Sequence, residues 1–364
     1  MSVELPSAKE VCQAHFGETT NSKCLQVIED RMDHNLSILR VTEGVCDTSL
    51  FPYEAQGPFE TPIPSLAEIL EAGKGFSHVW RVGPYMVKVG YTPHIYQEAE
   101  NMIYLERHSN IRTPKVFAAF TGEIPPTTPS IDTENEFCYF LVTEFIEGAT
   151  LSRLIREDIG SPLNEKIGHM LGEQYRRLRS VPPEDPNHFG RVNGRPYFGS
   201  RVIDIAPVAS DYLQGPFTYE QVVSKILDAA KANQALSVTP DDYTTATKLL
   251  YRSAEYTLLK AAGPNDRIPT LSHMDFNHLN IMVKVARNEE GKVVDVEEVI
   301  LIDWEWLAWM PSWFEAGGVY VETIGLGEPH EGFARRVLEA MGQVNMGIVA
   351  FFAYGLYCYA FFRF

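Results

Sequence analysis

The segment LSHMDFNHLNIMV, residues 271–283, sets His273, Asp275 and Asn280 among apolar neighbours, and a second apolar run, VILIDWEWL at 299–307, contains Asp303. Burying an unpaired carboxylate costs several kcal/mol, so acids in such runs call for partners or for chemistry. Asn280 opens the strand pattern NIMVKVA, and Asp303 closes the next one, VEEVILID, with the polar turn RNEEGK between them. A loop that turns Asp275 outwards while Asn280 folds back brings Asn280 beside Asp303. An oxygen pair from Asn and Asp suits Mg²⁺ when water and phosphate oxygens fill its remaining positions. Asp275, away from the metal, then accepts a hydrogen bond from an attacking hydroxyl. That is the arrangement phosphoryl transfer needs.

Such residues need elements to hold them. GKGFSHVWRVGPYMVKVG (73–90) reads as two short strands, HVWRV and YMVKV, joined at Gly83-Pro84. IYQEAENMIYLERHS (95–109) has helical periodicity, with Ala99, Met102, Ile103, Tyr104 and Leu105 apolar. PKVFAAF is extended, the loop at 122–136 is rich in Pro, Thr and acids, and FCYFLVTEFIEG (137–148) is a strong strand. From Thr150 the pattern turns mostly helical. LNEKIGHMLGEQYRRLRSV (163–181) carries Ile167, Met170, Leu171, Tyr175 and Leu178 on one stripe. PDDYTTATKLLYRSAEYTLLKAA (240–262) is read as a further helix, with its proline and two acids in the opening turn.

Composition narrows the class. A chain of 364 residues, 45% hydrophobic and 12% aromatic, builds a folded core and has room for two lobes. Against 48 acidic residues stand 31 Lys and Arg, for a net charge of −17, which argues against a nucleic-acid partner, since phosphate binding needs a concentrated basic face. The five cysteines contain no CxxC pair and read as reduced thiols of a cytoplasmic protein. The N-terminus has no apolar signal-like segment. Residues 346–362 lack charge; they read as a buried C-terminal helix, with a membrane tail as the alternative.

HMDFNHLN resembles the HxDxxxxN catalytic loop of the protein-kinase-like superfamily, and ILIDWEW its metal-binding Asp segment. The form IDWEWLAWMPSWFE is similar to that of the aminoglycoside phosphotransferase and choline kinase-like family, particularly its fungal members. HMD stands where protein kinases have HRD and DWE where they have DFG, so gating by activation-loop phosphorylation is not expected. The resemblance spans roughly residues 70–330 and implies a bilobal α+β kinase-like fold. Residues 1–60 would be an N-terminal extension, 61–147 a small β-rich N-lobe, and 148–364 a larger, mainly helical C-lobe ending in the apolar helix.

By that resemblance, Lys88 in MVKV binds nucleotide phosphates and Glu98 is its helix partner. Glu100 competes, but Glu98 shares a face with Met102 and Leu105. Gly73, Gly75 and Ser77 fall in the phosphate-covering loop, which lacks the third glycine of GxGxxG. In VTEFIEG, Thr143 is the gatekeeper, while the Glu144 carbonyl and Ile146 amide meet adenine. Asn280 and Asp303 hold Mg²⁺, and Asp275 acts on the acceptor. The implied cofactors are ATP and Mg²⁺, and the implied partner is a small molecule with a hydroxyl. Glu305, Glu315 and Glu322 could draw an amine-bearing acceptor.

Taken singly, each residue has a structural alternative: Asp275 and Asp303 as turn caps, Lys88 and Glu98 as solvated charges, His273 as a ring bonding nearby backbone. Their order along one chain favours the chemical reading. A relative that binds nucleotide or a partner without turnover is the alternative function. A protein kinase is third, disfavoured by the missing HRD arginine and APE-type segment. No GxSxG, HExxH or GxxxxGK[ST] motif offers another mechanism.

Overall fold

The computed structural model describes residues 5–38, 44–73, 78–124, 137–198, 213–238, 242–324 and 331–353. The first part of the chain forms α1 (Ala8–Phe16), α2 (Asn21–Ile38), β1 (Tyr53–Glu54), α3 (Leu66–Ala72), β2 (Val79–Val82), β3 (Tyr85–Gly90), α4 (His94–His108), β4 (Val116–Glu123) and β5 (Phe137–Glu144). The strands make one antiparallel sheet in the order β1-β4-β5-β3-β2. Period-two alternation in β3 turns Tyr85, Val87 and Val89 towards the α3 side, where Ile69 and Phe140 pack. Met86 and Lys88 therefore face the other way. α4 covers that second face and is buried at every position from Ile95 to Leu105. A helix buried all round needs neighbours on its outer side as well. Phe51 supplies one, stacked on Tyr96 with ring centroids 4.0 Å apart.

The larger lobe contains β6 (Ala149–Thr150), α5 (Leu151–Glu157), α6 (Ser161–Arg179), β7 (Tyr197–Phe198), β8 (Leu213–Gln214), α7 (Tyr219–Val238), α8 (Thr245–Glu255), β9 (Pro269–Ser272), β10 (Ile281–Arg287), β11 (Val293–Leu301), β12 (Ala308–Pro311), α9 (Phe314–Ile324), α10 (Glu331–Ala340) and α11 (Met346–Phe352). α6 buries Ile167, Leu171, Tyr175 and Leu178. Its Gly168 and Gly172 let α10 approach closely: a Cβ on either would stand 2.5 Å from a backbone carbonyl oxygen of Phe333 or Val337.

Two pairings position the site. β10 and β11 form a hairpin whose open end matches Ile281 with Leu301, while β9 and β12 match Ser272 with Ala308. The loops 273–280 and 302–307 are thus clamped side by side between the same two ladders. Trp304, Trp309 and Trp313 are fully buried and anchor in turn the second loop, β12 and the entry to α9.

Three features differ from expectation or refine it. The N-terminal 60 residues spread over both lobes: Cys12, Phe16 and Ile28 pack with Ala232 and Ala235 of α7, and β1 joins the edge of the small sheet. Of the helix expected over 240–262, residues 240–241 lie outside the described residues; α8 opens at Thr245, capped by Thr244, and the Asp242 side chain accepts the amide of Ala8. In the apolar C-terminus, α11 is capped by Asn345, and Phe352 packs on Trp313 and Phe314 with centroids 4.9 and 5.3 Å away. Residues 354–362 lie outside the described residues, among which no helix is long and apolar enough to cross a membrane.

Candidate active site

Lys88 stands on the cleft face of β3, opposite Leu141 of β5. Its Nζ donates to Glu98 Oε2 of α4 at 2.7 Å and to Asp303 Oδ1 at 2.8 Å, with Glu305 Oε2 at 3.5 Å. Burial alone would pull the Lys88 ammonium down, but Glu98, Asp303 and Glu305 together raise it above its ordinary value, so it stays charged. Burial pushes the Glu98 carboxyl up, opposed by Lys88 and by a hydrogen bond from the Trp304 amide. Glu100, the competitor, points away from Lys88. Its carboxylate, 1% exposed, accepts from Asn193 Nδ2 at 2.9 Å, Arg195 Nε at 3.0 Å and the buried Arg191 at 3.4 Å.

The 273–280 loop leaves β9 through His273, which is completely buried. Its Nε2 donates to the Ile302 carbonyl at 3.0 Å, and Nδ1 faces the Asp275 amide at 3.4 Å, as expected of a ring bonding nearby backbone. Met274 takes φ +67°, and its amide donates to the buried Glu315 at 3.1 Å. Left-handed backbone at a non-glycine residue persists only where surroundings over-determine it, and Glu315 is one such constraint. Asn280 Nδ2 donates to Asp275 Oδ2 at 2.9 Å, and the Asn280 carbonyl accepts from the Ile302 amide at 3.0 Å. Asp303 itself has φ +64°.

Between the lobes lies a cavity of about 220 Å³, whose lining does not include Asp275. Lys88, Glu98, Thr143, Glu144, Ile146, Asn280 and Asp303 all line it, with Met86, Met102, Leu141, Met282 and Ile302 as apolar walls. The Glu144 side chain turns to Arg112, which donates to both of its oxygens at 2.8 and 2.6 Å and to Glu298 of β11 at 3.3 Å. That links the end of the small sheet to the larger lobe. Gly73 does not line the cavity: it closes α3 and packs under the Trp80 ring, where a Cβ would come within 2.5 Å. Gly75 and Ser77 lie outside the described residues.

The donor chemistry fits Mg²⁺. With Asn280 Nδ2 committed to Asp275, its Oδ1 is the atom left to face a cation. Carboxylate oxygens of Glu98, Asp303 and Glu305 lie within 4.8 Å of one another around a single ammonium. An all-oxygen set with excess negative charge suits a hard divalent cation.

Two of the acids expected to draw an acceptor amine do other work. Glu315 is 2% exposed, and burial raises its carboxyl, against His273 and the amides it accepts from. Glu305 faces Lys88. Its place in DWE, two residues after Asp303, was the available signal. Gln97 and Asn101 also reach the site, and their polar amides at i and i+4 within a buried helix were visible as a pattern without an obvious target.

The sequence matches the Phosphotransferase enzyme family (APH) over residues 68–346. The chain belongs to that family, and its architecture is a two-lobed α+β one. Similar solved structures include the gentamicin complex of APH(2'')-IIa, at 13% identity over 73% of this chain and 72% of that one, TM-score 0.40. ADP-bound APH(2'')-Ib shows 13% identity over 78% and 83%, TM-score 0.42. Choline kinase LicA from Streptococcus pneumoniae shows 13% over 75% of each chain, TM-score 0.37. No curated protein gave a significant match.

Proposed function

We propose that the chain is an ATP-dependent phosphotransferase that moves the γ-phosphoryl group of ATP to a hydroxyl of a small molecule. The observation that carries this reading is the convergence on one cavity of Lys88–Glu98–Asp303 and Asn280, with Asp275 hydrogen-bonded to Asn280. Met86, Met102, Leu141 and Met282 offer a polarizable apolar slot for the adenine, with Thr143, Glu144 and Ile146 at its edge. Lys88, held by Glu98, neutralises phosphate oxygens. Asn280 and Asp303 would hold Mg²⁺, which would supply positive charge to offset the negative charge of the transferring phosphate. Asp275 orients the acceptor hydroxyl and takes its proton. The acceptor oxygen forms the new bond to phosphorus, the bond from the γ-phosphorus to the bridging oxygen breaks, and ADP leaves with that electron pair. The net charge of −17 favours a cationic, amine-bearing acceptor at long range.

The test is ADP release from Mg·ATP across a panel of small hydroxylated amines and polyols, with phosphorus NMR of the product. Acceptor-dependent ADP formation that disappears in Asp275→Asn supports the reading. Phosphorylation of a generic protein instead would contradict it.

A further inference from the structure

α4 grips the segment after Asp303 with more than Glu98. Asn101 Nδ2 donates to the carbonyl oxygens of Trp304 at 2.8 Å and Glu305 at 3.2 Å, and Gln97 Nε2 donates to that of Glu305 at 2.6 Å. Residues 97 and 101 stand about one helical turn apart, so both amides leave the same face. Both are buried, Asn101 at 0% exposure and Gln97 at 1%. Carbonyls only accept, so each amide must turn its nitrogen to the segment and its oxygen away. Those oxygens, Gln97 Oε1 and Asn101 Oδ1, have no hydrogen-bond partner among the described residues.

A buried amide with an unpaired oxygen is a poor choice for stability, since an apolar side chain of similar size avoids the lost solvation. What the two amides do achieve is local. Asp303 holds a left-handed φ of +64°, sparsely populated for a residue with a Cβ. On its N-terminal flank the Ile302 carbonyl is held by His273 and the Ile302 amide by Asn280. On its C-terminal flank the next two carbonyls are held by Asn101 and Gln97.

We infer that Gln97 and Asn101 are positioning residues that fix the backbone after Asp303, so that the Asp303 carboxylate meets the divalent cation. The inference rests on the function proposed above and concerns which residues set its metal affinity.

The test uses the full chain, thermal melts with ATP at fixed concentration, and a Mg²⁺ titration, for wild type, Asn101→Leu and Gln97→Met. Asn101→Leu removes a donor to two carbonyls together with an unpaired oxygen, so its melting temperature without ligand is measured first to establish that it folds. It should need at least about tenfold more Mg²⁺ for half of the ATP-dependent shift, with the Mg²⁺-free ATP shift unchanged. Gln97→Met should move in the same direction, and it decides the matter if Asn101→Leu does not fold. Wild-type Mg²⁺ dependence in the folded variants overturns the inference and leaves the proposed function standing. Equal loss of Mg²⁺-free ATP binding also overturns it, since the residues would then support the cleft as a whole. If wild type shows no Mg²⁺-dependent shift, the proposed function fails and takes the inference with it.

Discussion

Lys88 Nζ lies 2.8 Å from Asp303 Oδ1, although 215 residues separate them in the chain. One stands on the small sheet and the other beyond the hairpin of the larger lobe, so the contact bridges the cleft. With Glu98 at 2.7 Å on the same ammonium, sheet, helix and hairpin meet at one charge. The three carboxylates around it leave the cluster short of positive charge, which a divalent cation would redress.

Lys88→Met should lower kcat/KM for ATP by about 10²–10³, the usual scale for removing one donor to developing charge. It also leaves Glu98 beside Asp303 without a cation, and stability should fall by roughly 1–3 kcal/mol. Steady-state kinetics and urea denaturation read the two effects separately. Unchanged kinetics with lowered stability would make the lysine a structural tie only.

Asp275→Asn keeps the shape of the side chain and removes the proton acceptor. An expected fall in kcat of about 10²–10⁴, with ATP affinity within about twofold of wild type, is checked by pairing turnover with calorimetric binding. A matching loss of affinity would place Asp275 in nucleotide binding.

Arg191 is 2% exposed beside Glu100 at 1%, on the helix that carries Glu98. Without Arg191, Glu100 keeps Arg195 and Asn193 as donors, whereas without Glu100 the buried Arg191 guanidinium loses its carboxylate partner. Glu100→Leu should therefore destabilise the fold by about 3–5 kcal/mol, and adding Arg191→Met should restore part of it. Urea midpoints of the two single variants and the double variant measure the coupling. Additive losses would show that the pair is not coupled.

Burial raises the thiols of Cys46 and Cys138 to about 11 and that of Cys12 to about 12, from an ordinary 9.0. The fold keeps these groups protonated, so the unfolded chain ionises first as pH rises. Their stabilising effect is intact below pH 9 and is lost from there towards pH 11–12. Melting temperature should fall along that limb, and Cys46→Ala should begin lower at pH 7 but fall less steeply. A flat profile between pH 8 and 11 would contradict the assignment.

Much of the candidate site was legible because its residues break local rules. Asp275 and Asp303 are acids in apolar runs, and adjacent strand patterns place Asn280 and Asp303 at one end of a hairpin. Helical phase selects Glu98 over Glu100, and the structure gives Lys88 to Glu98 and Arg191 to Glu100. Less legible were residues whose partners are backbone groups far along the chain. Gln97 and Asn101 bind carbonyls 208 and 203 residues away, and a carbonyl carries no sequence signature. Glu315 reads as one more acid of an acid-rich chain until the Met274 amide, 41 residues earlier, is seen to turn towards it. The N-terminal helices likewise find α7 only through tertiary packing, because their apolar positions do not say which surface they cover.

The most direct measurement is calorimetric titration of the protein with ATP, with and without Mg²⁺, on wild type and Asp303→Ala. Wild type should bind ATP more tightly by at least tenfold when Mg²⁺ is present, a difference of about 1.4 kcal/mol, and Asp303→Ala should lose that gain. Equal affinity with and without Mg²⁺ in wild type, or an undiminished gain in the variant, would contradict a metal-nucleotide site built on Asp303.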